Sequence, residues 1–264
     1  MNSKNDSQIQ IKEIGSYLET DEQGFLINPA SVDKIKPEWK AVVDDIVQAY
    51  IKHCGEYLHS VYVRGSVAKG TAIPGVSDID TFAYTTSNVD TLWIADFEKE
   101  LAEAYPFVQG FEIYVDPIER AMKDKIVLLQ SACVYGTDLT KEIPPMKPDK
   151  ELFGHVYSFK KNLKEFDEWT ERPHSRESIM EQCTWLMKRF LRTGLELTLE
   201  RAHKYTRDLY PSYKIFAEYY PEYEGNMREV LNLALNPTDD IEIIKNISRE
   251  FGSWMVEEIE RTLA

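Results

Sequence analysis

The sequence predicts an α+β chain in two parts: a mixed sheet with helices over residues 1–145, then an all-helical bundle over 146–264. Three observations predict it. Apolar runs with strand character at 60–64, 78–85 and 110–116 are separated by segments of helical period. The stretch from Lys141 to Asp149, KEIPPMKPD, holds three prolines, which neither a helix interior nor a central strand accommodates. From Glu151 onward apolar residues recur only at helical spacing.

The elements follow in order. Ile9, Ile11 and Ile14, then the turn-forming Asp21-Glu22-Gln23-Gly24 before Phe25-Leu26-Ile27, suggest a hairpin arm over 8–30. Pro37 opens an amphipathic helix whose apolar face is Trp39, Val42, Val43, Ile46, Val47, Tyr50 and Ile51, running to about Cys54. A strand at 60–64 ends at Gly65-Ser66, a short helix starts around Val67–Gly70, and a second strand runs from Asp78 to Thr85. A helix is expected at 90–104, a strand around Glu112, a helix at 118–131 and a closing strand at 132–136. In the second part, breakers at Pro173, Pro211, Pro221 and Pro237 divide the helical pattern into about five antiparallel helices.

A chain of 264 residues with 43% hydrophobic residues can bury proper cores, so disorder is excluded. The net charge of −14 argues against a nucleic-acid partner, because phosphate backbones are bound by clustered Lys and Arg. It suits a neutral or cationic partner. Cys54, Cys133 and Cys183 form no Cys-x-x-Cys pair, which suggests free thiols and no zinc module, and the five histidines have no ligand spacing. No apolar run approaches membrane-spanning length, so no membrane partner and a cytoplasmic location are expected.

The chemistry concentrates in VRGSVAKGTAIPGVSDID, from Val63 to Asp80. The Gly65-Ser66 turn brings N–H groups and a hydroxyl to a helix N-terminus, a geometry that holds phosphate. Asp78 and Asp80, if both lie on a strand, send their carboxylates to one face and Ile79 to the other. Paired carboxylates beside a phosphate cradle describe a divalent-metal site for nucleotide chemistry. An EF-hand is excluded because the third oxygen ligand and following glycine are missing, and a P-loop because there is no Gly-Lys-Ser/Thr. The pattern's weight lies in the combination, since a lone Gly-Ser is an ordinary turn and a lone Asp-x-Asp an ordinary strand end.

This segment resembles the signature of the DNA polymerase β-like nucleotidyltransferase superfamily, with Gly65, Ser66, Asp78 and Asp80 on its fixed positions. Two departures stand out: Arg64 where an apolar residue is usual, and Thr81 before the strand resumes at Phe82. Neither is expected to touch a metal ligand. The resemblance implies a third carboxylate on a neighbouring strand. Alternation over 110–117 puts Glu112, Tyr114 and Asp116 on one face, and Glu112 is preferred because Pro117 makes Asp116 a strand end.

The two-part plan looks like that of the aminoglycoside adenylyltransferases acting on streptomycin and spectinomycin. Cys133-Val134-Tyr135-Gly136-Thr137-Asp138-Leu139 and Arg192-Thr193-Gly194 are similar to runs in that family. The resemblance implies a Mg²⁺ (or Mn²⁺) enzyme that moves AMP from ATP to a hydroxyl of a small-molecule, aminoglycoside-like acceptor lying between the domains. Asp78, Asp80 and Glu112 are then the metal and catalytic carboxylates. Gly65, Ser66, Lys69 and Ser77 are the phosphate-side residues, with Lys69 preferred to Arg64 as the cation because it lies on the turn's own loop. In a basic run containing Arg201 and Lys204, it is Tyr205, Arg207 and Lys214 that meet the nucleotide. An acidic acceptor wall is expected from Glu165, Asp167, Glu168, Glu177 and Glu181. The competing readings are a toxin-like enzyme that modifies a protein or tRNA, and an inactive nucleotide-binding relative.

Overall fold

A computed structural model describes residues 12–123 and 125–264. Leu26–Pro145 form one compact unit; Met146–Ala264, with the N-terminal segment up to Phe25, form the other. The division at Pro145–Met146 lies inside the proline-rich stretch.

In the first unit, α1 (Pro37–Cys54) starts on Pro37, whose missing N–H is no loss in a first turn. β1 (Leu58–Arg64) leads directly into the five-residue α2 (Gly65–Lys69). β2 (Ile79–Thr85), α3 (Ile94–Ala104) and β3 (Phe111–Pro117) follow. The helix expected over 118–131 shrinks to a single 3₁₀ turn and the short α4 (Lys125–Leu128). β4 (Ser131–Gly136) closes the unit. Strand order is β3-β2-β1-β4, with β1 antiparallel to β2 and β4, and β2 parallel to β3.

Alternation along the strands gives the sheet two different faces. Val61, Val63, Ile79, Ala83 and Ile113 pack under α1 and α3 in a core with Trp39, Val42, Ile46, Tyr50 and Leu101. On the opposite face Tyr62, Phe82 and Tyr84 pack against Ala121, Leu128 and Leu139. Thr81 does not interrupt β2. It is fully buried and its hydroxyl lies 3.2 Å from that of Tyr50.

The second unit contains α5 (His155–Trp169), α6 (Arg176–Glu196), the four-residue α7 (Leu199–Ala202), α8 (Leu209–Tyr219), α9 (Glu224–Leu235) and α10 (Ile241–Leu263). The five longer helices match the sequence pattern. Their core includes Phe159, Phe166, Leu186, Phe190, Phe216, Met227, Leu231, Ile244 and Met255. α6 is its central element, and Gly194 on it leaves room for Phe216 and Met227, which an added Cβ would meet at 2.9 and 2.5 Å.

The N-terminal arm requires a correction. Sequence pattern joined it to the first domain, but the described residues 12–25 hydrogen-bond to the helical unit. Leu18 N–H donates to Tyr205 O at 2.7 Å, Ser16 N–H to Asp208 Oδ2 at 2.9 Å, and Tyr17 OH to Pro211 O at 3.0 Å. Polar pairing of this kind leaves no apolar period to read. The expected turn does form, with Gly24 N–H donating to Asp21 O. Ile9 and Ile11 lie outside the described residues.

Candidate active site

β1 stops at Arg64 because Gly65 takes φ +72°, a left-handed conformation that lets the chain swing straight into α2. The turn also lies against the carboxylate of Asp80: a Cβ on Gly65 would stand 2.7 Å from Asp80 Oδ2. Ser66 anchors the loop that follows, its carbonyl accepting from Thr71 N–H at 2.9 Å and Ala72 N–H at 3.1 Å. Ser77, expected to help bind nucleotide, accepts from Ile73 N–H at 3.0 Å through its hydroxyl oxygen, which holds the loop in shape and leaves the O–H to donate. Lys69 is half-buried at the end of α2.

Strand register brings three charged side chains into one row. Arg64 pairs with Asp80 across β1–β2, and Asp80 pairs with Glu112 across β2–β3. One Arg64 nitrogen, Nη2, lies 2.7 Å from Glu112 Oε2 and 3.8 Å from Asp80 Oδ1. This corrects the expectation that Arg64 stays clear of the carboxylates. Asp80 is mostly buried, with 18% of its side chain exposed. Its pKa is pushed up to about 7, first by burial, against the pull of Arg64, and with further upward contributions from Glu112 and Asp78. Glu112 is set from behind by the Thr81 hydroxyl, which donates to its carbonyl at 3.4 Å.

Asp78 is placed differently from the strand expectation. It is exposed and precedes β2 by one residue, where Ile79 N–H already donates to Gly110 O. Asp116, the rejected alternative to Glu112, is ion-paired to Arg120 at 2.9 Å. Between the two along the same face runs a row of aromatic rings: Tyr62 on Phe82 at 5.1 Å and Phe82 on Tyr114 at 5.6 Å, both near-parallel. Beyond it Phe82, Tyr84, Tyr114, Asp116, Arg120 and Val127 line a cavity of about 360 Å³.

Among the described residues no three His, Cys, Asp or Glu side chains converge to hold a metal ion. The donors present still suit Mg²⁺, which characteristically takes one or two carboxylates and completes its shell with substrate phosphates and water. Asp80 and Glu112, paired in register, are the two carboxylates that could fill that role.

The helical unit divides the basic run seen in the sequence. Arg201 lies over the rings of Tyr219 and Tyr220, and Lys204 over that of Tyr17, so these two cations serve packing. Lys214 is exposed on α8, and Tyr205 is buried. Arg207 belongs to a cationic group the sequence reading missed. It and Arg192 and Arg189 all act on His155, whose pKa falls to about 3, chiefly through burial and then through these charges. Within this group Glu196 is buried and accepts N–H bonds from Gly154, His155 and Val156 at 2.8–3.1 Å, capping α5. Burial pushes its pKa up to about 7. The available signal was the spacing of Arg189, Arg192 and Glu196 on one helix, at i, i+3 and i+7. Of the acids expected to form an acceptor wall, Glu165 and Glu168 are matched by Lys161 and Lys164 one turn earlier, each at 3.3 Å, as on an ordinary solvated helix face.

Residues 45–185, just over half of the chain, match the family model of the nucleotidyltransferase domain. No curated protein matches the sequence. Among solved structures, the spectinomycin adenyltransferase AAD(9) from Enterococcus faecialis, determined with ATP and spectinomycin, is 12% identical. The overlap covers 83% of this chain and 99% of that one, at a TM-score of 0.45. A mutant of the toxin–antitoxin pair MntA-HpeT is 20% identical over 39% of this chain and 76% of that one, at a TM-score of 0.27. Neither likeness is close enough to transfer an activity. No helix among the described residues is long and apolar enough to cross a membrane.

Proposed function

The chain belongs to the nucleotidyltransferase domain family, and we propose that it transfers a nucleoside monophosphate, AMP from ATP, to a hydroxyl of a small-molecule acceptor. The observation that carries this reading is the register-paired Asp80 and Glu112 beside the Gly65-Ser66 turn. In the reaction the acceptor oxygen attacks the α-phosphorus and forms the new P–O bond. The bond to the bridging oxygen breaks, and pyrophosphate leaves.

Each residue has a proposed part. Gly65 N–H and the Ser66 hydroxyl hold terminal phosphate oxygens at the start of α2, with Lys69 adding charge. Asp80 and Glu112, with Asp78 at the mouth of β2, hold Mg²⁺, which neutralises the triphosphate and aligns the groups that react. Glu112, with 58% of its side chain exposed, is accessible to take the acceptor's proton. In the helical unit Arg207 with Tyr205, and Lys214 on α8, are proposed nucleotide contacts; the charges of Arg189, Arg192 and Arg207 act together on His155 and make this part of the unit basic. The net charge of −14 favours a neutral or cationic acceptor.

Incubating the protein with each of the four α-labelled ribonucleoside triphosphates and Mg²⁺, against aminoglycosides, cell extract and tRNA, tests this reading. Label on a small molecule with matching pyrophosphate release is the expected result. Label confined to protein or tRNA would overturn the small-molecule acceptor, and no transfer to any of them would overturn the activity.

A further inference from the structure

Arg64 is the feature of the site that the family pattern does not account for. It is the last residue of β1 and its backbone position is fixed by pairing with Asp80. Its guanidinium therefore projects on the face that carries Asp80 and Glu112, and it contacts both. Only 21% of the Arg64 side chain is exposed. Its Nε is buried without a hydrogen-bond partner, so the carboxylates do not use all of its donors.

We propose that Arg64 is the resident counter-cation of the carboxylate pair and competes with divalent metal for it, so that metal binds well only together with nucleotide. The inference rests on the reading of Asp80 and Glu112 as the metal site. The physical case is one of occupancy and charge. A guanidinium keeps its proton at every accessible pH, so the metal displaces it rather than waiting for it to discharge. Two carboxylates shared with a fixed positive charge attract a divalent ion much less than two carboxylates alone. A triphosphate arriving at the Gly65-Ser66 turn offers the guanidinium other oxygens, including a partner for the unused Nε–H. Once Arg64 turns to phosphate, Asp80 and Glu112 are released to the metal. The two ligands then bind with positive coupling, each improving the affinity of the other by the same factor.

The test is Mn²⁺ binding followed by the loss of the free-ion electron paramagnetic resonance signal, for wild type, Arg64→Met and Asp80→Asn. Titrations are made without nucleotide and with α,β-methylene-ATP, which binds without transferring. Arg64→Met is expected to bind Mn²⁺ alone about tenfold tighter than wild type, within the usual range of coupling between sites. It is also expected to gain less than wild type from the nucleotide analogue. Arg64→Gln, which keeps a polar head without charge, serves if the methionine variant does not fold. A purely structural Arg64 would make its variants bind metal equally or more weakly. That result, with Asp80→Asn still lowering affinity in the same assay, would overturn the role of Arg64 and leave the metal site standing. If no variant binds Mn²⁺, with or without the analogue, the metal site itself fails and the inference falls with it.

Discussion

Replacing Gly65 by alanine separates two costs that the structure places at one residue, and Gly75 provides the comparison. Both glycines have left-handed backbones, with φ of +72° and +78°. An alanine at either position carries a conformational cost of about 1–2 kcal/mol. At Gly75 a new Cβ meets nothing within 4 Å, whereas at Gly65 it meets Asp80 Oδ2 at 2.7 Å. To relieve that contact the carboxylate must shift within the row it shares with Arg64 and Glu112, an overpacking cost of about 1–3 kcal/mol. Urea unfolding should therefore show Gly75→Ala destabilised by about 1–2 kcal/mol and Gly65→Ala by about 2–5 kcal/mol. Adding Asp80→Ala to each variant completes the cycle. It should recover the excess in Gly65→Ala and do nothing for Gly75→Ala. Equal losses in the two alanine variants, or an excess that survives removal of the Asp80 side chain, would refute the contact as an energetic feature of the site.

Further expectations concern Glu196 and the two acids of β3. Folding raises the Glu196 pKa from 4.5 to about 7, so the native state favours the proton, and stability from this group is full below about pH 4.5 and lost as pH rises through 7. The loss amounts to about 3 kcal/mol. Glu196→Gln cannot ionise but gives up one acceptor oxygen at the start of α5. Wild type should therefore exceed it clearly in urea unfolding at pH 5, with the gap narrowing by about 2–3 kcal/mol at pH 8; a pH-independent gap would contradict the burial argument. Glu112→Gln should lower label transfer by about 10²–10⁴-fold while retaining stabilisation by nucleotide. Asp116→Asn, whose carboxylate is committed to Arg120, should stay near wild type. The reverse pattern in a kinetic assay would move the role to Asp116.

The elements whose residues answer to local rules were legible in the sequence. Pro37 and the apolar stripe behind it gave α1 its limits, and the alternation from Phe111 to Asp116 put Glu112 on a different face from Ile113. The helix expected over 118–131 failed because its apolar residues, Ala121 and Leu128 among them, cover the aromatic face of the sheet from a path broken into a 3₁₀ turn and a single short α-helix. The arm was misassigned because its partners, Tyr205 and Asp208, are distant in sequence and hold it by polar contacts, the Tyr205 carbonyl and the Asp208 carboxylate accepting its N–H groups. Arg64 was misjudged for a related reason. Its place opposite Asp80 depends on strand register, and its reach to Glu112 on a second register, neither of which is encoded locally. In the helical unit, a count of cations in one run could not tell Arg201 and Lys204, lying over tyrosine rings, from Arg207, whose charge acts on His155 and Arg189.

The central claim, that Asp80 and its neighbours form a metal-dependent nucleotide site, is tested most directly by thermal unfolding with ATP, GTP, CTP or UTP, with and without Mg²⁺, in wild type and Asp80→Asn. A ligand that binds only the native state stabilises it by about 2.7 kcal/mol at a hundred times its dissociation constant. The account predicts that at least one triphosphate, ATP foremost, raises the wild-type transition in a Mg²⁺-dependent way, and that Asp80→Asn largely abolishes the rise. A wild-type transition unmoved by all four triphosphates, or an Asp80→Asn protein that responds as wild type does, would contradict it.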